Sequence, residues 1–163
     1  MSQRREGETA LDFDPAELQG DGHIVFIGRV SSPWKSRDEC PKNMADARET
    51  GKTASLTIDA PYRRGLSGLE RYTHVVLLSW FDRSRRDLIL QNPRHADTPR
   101  GTFSLRSPVR PNPIGMHVAK LVSLDIETGI LEIDAIDLLD GTPIIDVKPY
   151  FASIDAFPDA AKS

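Results

Sequence analysis

Apolar residues in this chain come in short runs, each stopped within about ten residues by Gly, Pro, Asn or Asp, and that punctuation leaves little room for long helices. Residues 23–30 (HIVFIGRV) are rich in β-branched side chains and end at the turn-like Ser31-Ser-Pro-Trp-Lys35, so they read as a first strand. Thr53 to Asp59 alternates Ala54, Leu56 and Ile58 with polar neighbours, the pattern of a half-buried strand. Thr73 to Phe81 is apolar almost throughout and reads as a central strand. Further strands are expected over Thr102–Arg106, Met116–Leu124 and Ile130–Leu139, the last two parted by the turn-like segment 125–129. Only Asp38–Gly51 and Ser84–Gln91 have the length and propensity for short helices. The expected class is mainly β, a barrel or a sandwich with long loops, preceded by a polar tail over residues 1–20 that composition marks as disordered.

A chain of 163 residues suits one domain, here residues 21–163, and is long enough to bury roughly 70% of its unfolded surface. With 39% hydrophobic and 28% charged residues it has the composition of a soluble globule. A single cysteine, Cys40, excludes an internal disulfide and a cysteine-cluster metal site. No apolar run approaches the roughly 18 residues of a membrane span, and the first residues lack the apolar stretch of a secretory signal. A cytoplasmic protein is expected. The net charge of −3 argues against binding nucleic acid through overall charge. It is a cancellation, however. Arg83 to Arg110 holds seven arginines against Asp87 and Asp97, a balance of +5, whereas Leu121 to Ser163 holds nine acids against two lysines, a balance of −7. Loop formers such as Asn92, Pro93, Pro99 and Gly101 interleave those arginines, so they either form a solvated face or ride on a loop able to grip phosphates.

Two segments ask for more than turn chemistry. In Leu105-Arg-Ser-Pro-Val-Arg-Pro-Asn-Pro-Ile-Gly-Met116, three prolines push their predecessors toward extended geometry and stiffen the loop. Such stiffness either makes a rigid connection or holds Arg106, Arg110 and Asn112 ready for a ligand, sparing the cost of ordering long side chains on binding. In residues 137–150, Asp140-Gly-Thr-Pro143 makes a tight turn, and Asp146, Lys148 and Tyr150 then alternate onto one face of a strand. That face is an exposed ladder or the polar floor of a cleft. There is no G-x-G-x-x-G, Walker, H-E-x-x-H or G-x-S-x-G motif. The histidines at 23, 74, 95 and 117 lack metal-ligand spacing, so no metal is expected, and His74 reads as a structural histidine.

Pro33-Trp-Lys, Cys40-Pro-Lys-Asn43, Gly68-Leu-Glu-Arg-Tyr-Thr-His74, the stretch from Gly101 to Gly115 and that from Asp140 to Tyr150 together resemble the TsaA-like (VirR-like) tRNA methyltransferase family. The similarity spans roughly Gly22 to Asp155. The resemblance implies a small β-barrel, a homodimer, S-adenosylmethionine as methyl donor, and methylation at N6 of threonylcarbamoyladenosine at position 37 of tRNA. It places cofactor contacts at Pro41, Lys42 and Asn43, at Asp82 and Arg83, at Arg106, at Met116, and at Leu138, Leu139, Asp140 and Gly141. Lys42-Asn43 stands where the family has Arg-Gln, and Asp82-Arg83 where it has His-Gln. Many relatives carry a further domain after the barrel, so for a chain stopping at Ser163 the expectation is that a dimer supplies the RNA surface or that the substrate set differs.

Methyl transfer from a sulfonium is an in-line displacement, so the protein mainly orients donor and acceptor and excludes water. Arg106 or Lys42 would pair with the cofactor carboxylate, and backbone groups around 138–141 would read its adenine edge. Because the target nitrogen is a ureido N–H, a base is needed. The candidates are Asp140, Asp146 and Tyr150, with Lys148 available for the substrate carboxylate. Arg83, Arg85, Arg86, Arg94, Arg100 and Arg110 would track the anticodon stem-loop backbone, with Tyr62, Trp34 or Tyr150 available for stacking. Two alternatives remain: a methyltransferase with another acceptor, and a non-catalytic RNA-binding barrel.

Overall fold

The computed structural model describes residues 4–94 and 96–162. Its elements are β1 (Thr9–Ala10), β2 (Gly28–Ser31), α1 (Met44–Glu49), β3 (Ala54–Ile58), β4 (His74–Trp80), β5 (Leu88–Gln91), β6 (Arg100–Gly101), β7 (Ile114–Asp125), β8 (Ile130–Ile133), β9 (Pro143–Pro149) and α2 (Ala152–Asp155), with short 3-10 segments at Ala60–Leu66, Leu69–Arg71 and Thr102–Ser104. The chain divides into two compact units. An arginine-rich unit comprises the chain up to Val25 and Trp80–Gly115, and a barrel unit comprises Phe26–Ser79 and Met116–Ser163.

The mainly β class expected from the sequence holds, and the architecture is a closed barrel in the order β2-β3-β8-β7-β4-β9. Closure removes the exposed edges an open sheet would carry. Alternation sends Leu56 and Ile58 of β3, Val75 and Leu77 of β4, and Leu131 and Ile133 of β8 inward, where each is at most 1% exposed. Gly28 is required by close approach, since a Cβ there would lie 2.2 Å from the Thr57 carbonyl oxygen on the paired strand.

Several element bounds differ from the sequence expectation. The first barrel strand is Gly28–Ser31 rather than residues 23–30, and Ile24, Val25 and Phe26 stay exposed. The helix expected over Asp38–Gly51 shrinks to Met44–Glu49, because Pro41 cannot continue a helix and Asn43 caps its start by accepting the Asp46 N–H at 2.9 Å. Residues 84–91 form no helix. Leu88–Gln91 is instead the middle strand of a small sheet, pairing with Thr9–Ala10 on one side and Arg100–Gly101 on the other. Burial of Leu88 and Gln91 overrides their helix propensity there. Thr102–Ser104 is a 3-10 turn, not a strand. The strand expected to run to Leu139 ends at Ile133, and residues 134–142 are held by Ser32 and Trp34 side chains together with isolated main-chain bonds.

Candidate functional site

The turn at Asp140-Gly-Thr-Pro143 is fixed from both sides within the barrel unit. Trp34 Nε1 donates to the Ile136 carbonyl at 2.7 Å, Ser32 Oγ donates to that of Leu138 at 2.7 Å, and Ser32 N donates to Asp140 Oδ1 at 3.0 Å. The main-chain N–H groups of Asp140 and Gly141 donate to Trp34 and Val30, each at 2.8 Å, and the Thr142 hydroxyl closes onto the Leu139 carbonyl. Gly141 has φ +78°, a left-handed geometry that favours glycine. The N–H groups of 140 and 141, expected to be available to a ligand, are therefore engaged in holding the turn. What the turn presents outward is the Asp140 carboxylate with Lys35 Nζ 2.7 Å away.

Ahead of α1, Pro41-Lys42-Asn43 leaves Lys42 exposed while the Asn43 side-chain Oδ1 serves as cap. Burial, reinforced by the charge of Asp137 and opposed by that of Arg37, pushes the neighbouring Cys40 thiol up to about 11. Met116 projects from β7 and is 54% exposed. The next residue, His117, is buried and bridges Ser79 Oγ, 2.9 Å from its Nε2, and Asp137 Oδ1, 2.7 Å from its Nδ1. Facing an ionised carboxylate, which can only accept, Nδ1 is the donor to Asp137, while Nε2 shares its hydrogen bond with the Ser79 hydroxyl. A Ser-His-Asp series invites comparison with nucleophilic catalysis, but Ser79 is 0% exposed and no substrate reaches it. The series instead ties β4 and β7 to the segment leading into the Asp140 turn. These residues lie 38 and 20 positions apart, which hid them from sequence reading. The signals were a serine inside the apolar run of β4 and an inward position of β7 between Gly115 and Ala119.

On β9, Asp146 and Lys148 form an ion pair at 2.6 Å. Tyr150 follows the strand, its N–H donating to the His74 carbonyl and its ring set edge-on to the His74 ring at 6.4 Å. Asp146 lines a cleft of about 650 Å³ walled by the 3-10 segments between Ala60 and Tyr72, so one member of the alternating triplet does face a cavity.

In the arginine-rich unit the proline loop is braced from within. Gln91 Nε2 donates to Thr102 Oγ1 at 2.9 Å and to the Val109 carbonyl at 2.6 Å. Arg86 donates through Nε to the Pro111 carbonyl and through its terminal nitrogen to Asn112 Oδ1, with its guanidinium 5.4 Å from the centroid of the Trp80 ring. Arg110 reaches back to the Leu105 and Ser107 carbonyls. Arg85 grips Asp87 through two 2.7 Å contacts, which hold that carboxyl below the usual range and the guanidinium above it. Three of the expected phosphate grips, Arg85, Arg86 and Arg110, thus bond inside their own unit. Arg83, Arg94, Arg100 and Arg106 are exposed, and no side-chain partner is seen for them among the described residues. Asp82 is exposed beside Arg83 in the turn after β4.

Of the expected cofactor positions, Arg106 and Asp82 are exposed in the arginine-rich unit, and Lys42 and Met116 are exposed in the barrel unit. Among the described residues no group of three or more His, Cys, Asp or Glu is arranged to hold a metal ion, and no helix is long and apolar enough to cross a membrane.

The model of the tRNA-methyltransferase O N-terminal domain family matches residues 29–156. A relative from Rhizobium radiobacter, "Probable S-adenosyl-L-methionine-binding protein VirR", is 37% identical over 131 residues, covering 80% of this chain and 72% of its own. The tRNA (adenine(37)-N6)-methyltransferase of Escherichia coli strain K12 is 33% identical over 145 residues, 84% of this chain and 61% of that protein. The crystal structure of TrmO from Pseudomonas aeruginosa superposes with a TM-score of 0.66 at 30% identity, over 87% of this chain and 62% of that one. The chain thus spans about three fifths of the E. coli and Pseudomonas proteins.

Proposed function

We propose that this chain, which belongs to the tRNA-methyltransferase O N-terminal domain family, transfers a methyl group from S-adenosylmethionine to N6 of adenosine 37 in tRNA, on the threonylcarbamoyl-modified nucleoside. The observation that carries this reading is the family match over residues 29–156, which takes in both the stiff 105–116 loop and the Asp140 turn. Bound S-adenosylmethionine supplies an electrophilic methyl group on a sulfonium. Arg106, exposed on a loop whose backbone is braced by Gln91 and Arg86, offers a guanidinium for pairing with a carboxylate. Lys42, exposed in the barrel unit, is the alternative cation for that role. Pro41, Asn43, Asp82, Arg83, Met116, Leu138, Leu139, Asp140 and Gly141 complete the proposed contacts.

The ureido proton is taken by Asp146 or Tyr150, with Lys148 beside the threonyl carboxylate. Asp146 lies midway along β9, and Tyr150 just beyond its end away from the Asp140 turn. Pro143 to Tyr150 covers roughly 23 Å of extended chain at about 3.3 Å per residue. Tyr150, at that distance along the strand, would act on a methyl group held by a second copy of the chain, the homodimer the family implies. Arg83, Arg94 and Arg100 hold the anticodon stem-loop, with Asn112 and the bonded Arg85, Arg86 and Arg110 shaping the loop that presents them. A cytoplasmic location follows from a tRNA substrate.

The test is calorimetry with S-adenosylmethionine, followed by mass analysis of nucleosides from threonylcarbamoylated tRNA incubated with protein and cofactor. The expected outcome is cofactor binding and a mass gain of one methyl group on the modified adenosine. Cofactor binding with methylation elsewhere would indicate another acceptor, and RNA binding without cofactor binding a non-catalytic barrel. RNA affinity should fall steeply with salt, and Arg94→Gln and Arg100→Gln should each reduce the log–log slope by about 1.

A further inference from the structure

The cleft beneath the 3-10 segments of the barrel unit is not among the cofactor positions discussed above, and its lining has a chemistry of its own. Tyr62 and Tyr72 lie on its walls, 40% and 36% exposed, with Ile58 and Val147 at its apolar base. Tyr72 is held edge-on against Phe151, ring centroids 5.4 Å apart, so its orientation is fixed from behind. Arg71 lines the same cleft, exposed, and among the described residues its guanidinium has no hydrogen-bond or ion-pair partner. Asp146 supplies the one carboxylate, already balanced by Lys148 at 2.6 Å. The volume of about 650 Å³ falls in the range of small-ligand sites.

An exposed aromatic face packed against a neighbouring ring, as Tyr72 is against Phe151, suits a planar ring, because stacking on it requires little ordering. An exposed cation without a partner suits an anion joined to that ring, and a carboxylate with spare lone pairs suits the N–H edge of a base. We propose that this cleft binds one unpaired purine nucleotide, its base stacked against Tyr62 or Tyr72, its amino edge at Asp146 and its anionic group at Arg71. This rests on the reading of the chain as a tRNA methyltransferase and extends it. The cleft, rather than the arginine loop, is where a nucleotide drawn out of the anticodon loop is received. Arg71 then selects for the anion, either the 5′ phosphate or the carboxylate of a threonylcarbamoyl group.

The experiment has two arms on the full chain. Saturation-transfer NMR compares adenosine, adenosine 5′-monophosphate and N6-threonylcarbamoyladenosine as probes. Anisotropy measures the affinity of a labelled anticodon stem-loop for wild type, Tyr72→Ala, Tyr72→Phe and Arg71→Ala. The expected result is transfer to the anionic probes above that to adenosine, with the stronger of the two naming the anion. Tyr72→Ala should weaken RNA binding by about tenfold, Arg71→Ala by several-fold, and Tyr72→Phe should retain wild-type affinity. Near-wild-type RNA affinity in both Tyr72→Ala and Arg71→Ala, with unchanged circular dichroism, overturns the proposal. So does a shift of Tyr72→Ala in sedimentation alone, which would make the cleft a contact between copies. S-adenosylmethionine calorimetry and tRNA methylation on the same wild-type sample separate the two readings. Methylation with an indifferent cleft rejects only the cleft, and nucleotide binding without methylation rejects only the enzyme.

Discussion

The proline loop at 105–113 and the turn at 137–142 are both rigid polar segments, and they are rigid for opposite reasons. The turn lends its own main chain to the fold: N–H groups of Asp140 and Gly141 and carbonyls of Ile136 and Leu138 bond to residues 30–34. The loop has few main-chain bonds to give because Pro108, Pro111 and Pro113 lack donors, and so it is held by side chains reaching into it from Arg86 and Gln91 and by its own Arg110. The consequence concerns charge. A run of seven arginines implies seven possible contacts with a polyanion, yet Arg85, Arg86 and Arg110 hold their own unit together, and the charge left for a ligand sits on Arg83, Arg94, Arg100 and Arg106. Damage to the turn's anchors should therefore be felt first as stability, and loss of the loop's exposed arginines as binding alone.

The largest effect should come from the turn. Trp34 is 5% exposed and bonds the Ile136 carbonyl, so Trp34→Ala removes a large buried side chain and orphans an acceptor, costing about 3–5 kcal/mol in urea denaturation. A cost below about 1 kcal/mol would mean that the turn does not depend on this anchor, and the contrast would collapse. Next is Gln91→Ala on the loop side, which strips Thr102 Oγ1 and the Val109 carbonyl of a buried donor, for about 1–3 kcal/mol. It should also weaken S-adenosylmethionine binding severalfold, because the loop that carries Arg106 loses a brace.

This division of labour was only partly legible in the sequence. Strands β3, β4 and β7 were, because alternation at Ala54, Leu56 and Ile58 and the unbroken run from Val75 leave a single answer for how a pleated chain buries them. Residues 84–91 were not. Their helix propensity is local, whereas the pairing of Leu90 with Thr9 and Gly101 that decides their state is not. The stiffness at 105–113 could be read from its prolines, but not which arginines spend themselves bracing it, since Arg86 and Pro111 lie 25 residues apart. For the same reason Asp146 and Lys148 were visible as neighbours on a strand, while the cleft that Asp146 lines needs Tyr62, Arg71 and Tyr72 from elsewhere in the barrel.

Arg106→Ala tests the loop as a presenter of charge. The side chain is exposed and has no bond among the described residues, so stability should change by no more than about 0.5 kcal/mol. Affinity for S-adenosylmethionine should fall about tenfold or more, as expected for a lost charge-assisted contact. Full affinity and turnover in this variant would remove Arg106 from the site.

The smallest effect belongs to Arg85 and Asp87, the most local of the braces. The guanidinium holds the Asp87 carboxyl below its ordinary value, so the pair stabilises the folded chain above the unfolded carboxylate range, near pH 4, and that contribution is lost as pH falls through the lower folded value. At side-chain exposures of 17% and 22% the pair is worth about 0.5–1 kcal/mol. Asp87→Asn should thus lower the thermal midpoint by a few degrees at pH 6, with the gap to wild type closing below pH 4. A gap that stayed constant with pH would show that the loss came from packing rather than charge, and that Arg85 remains available to a phosphate instead of being committed to its own unit.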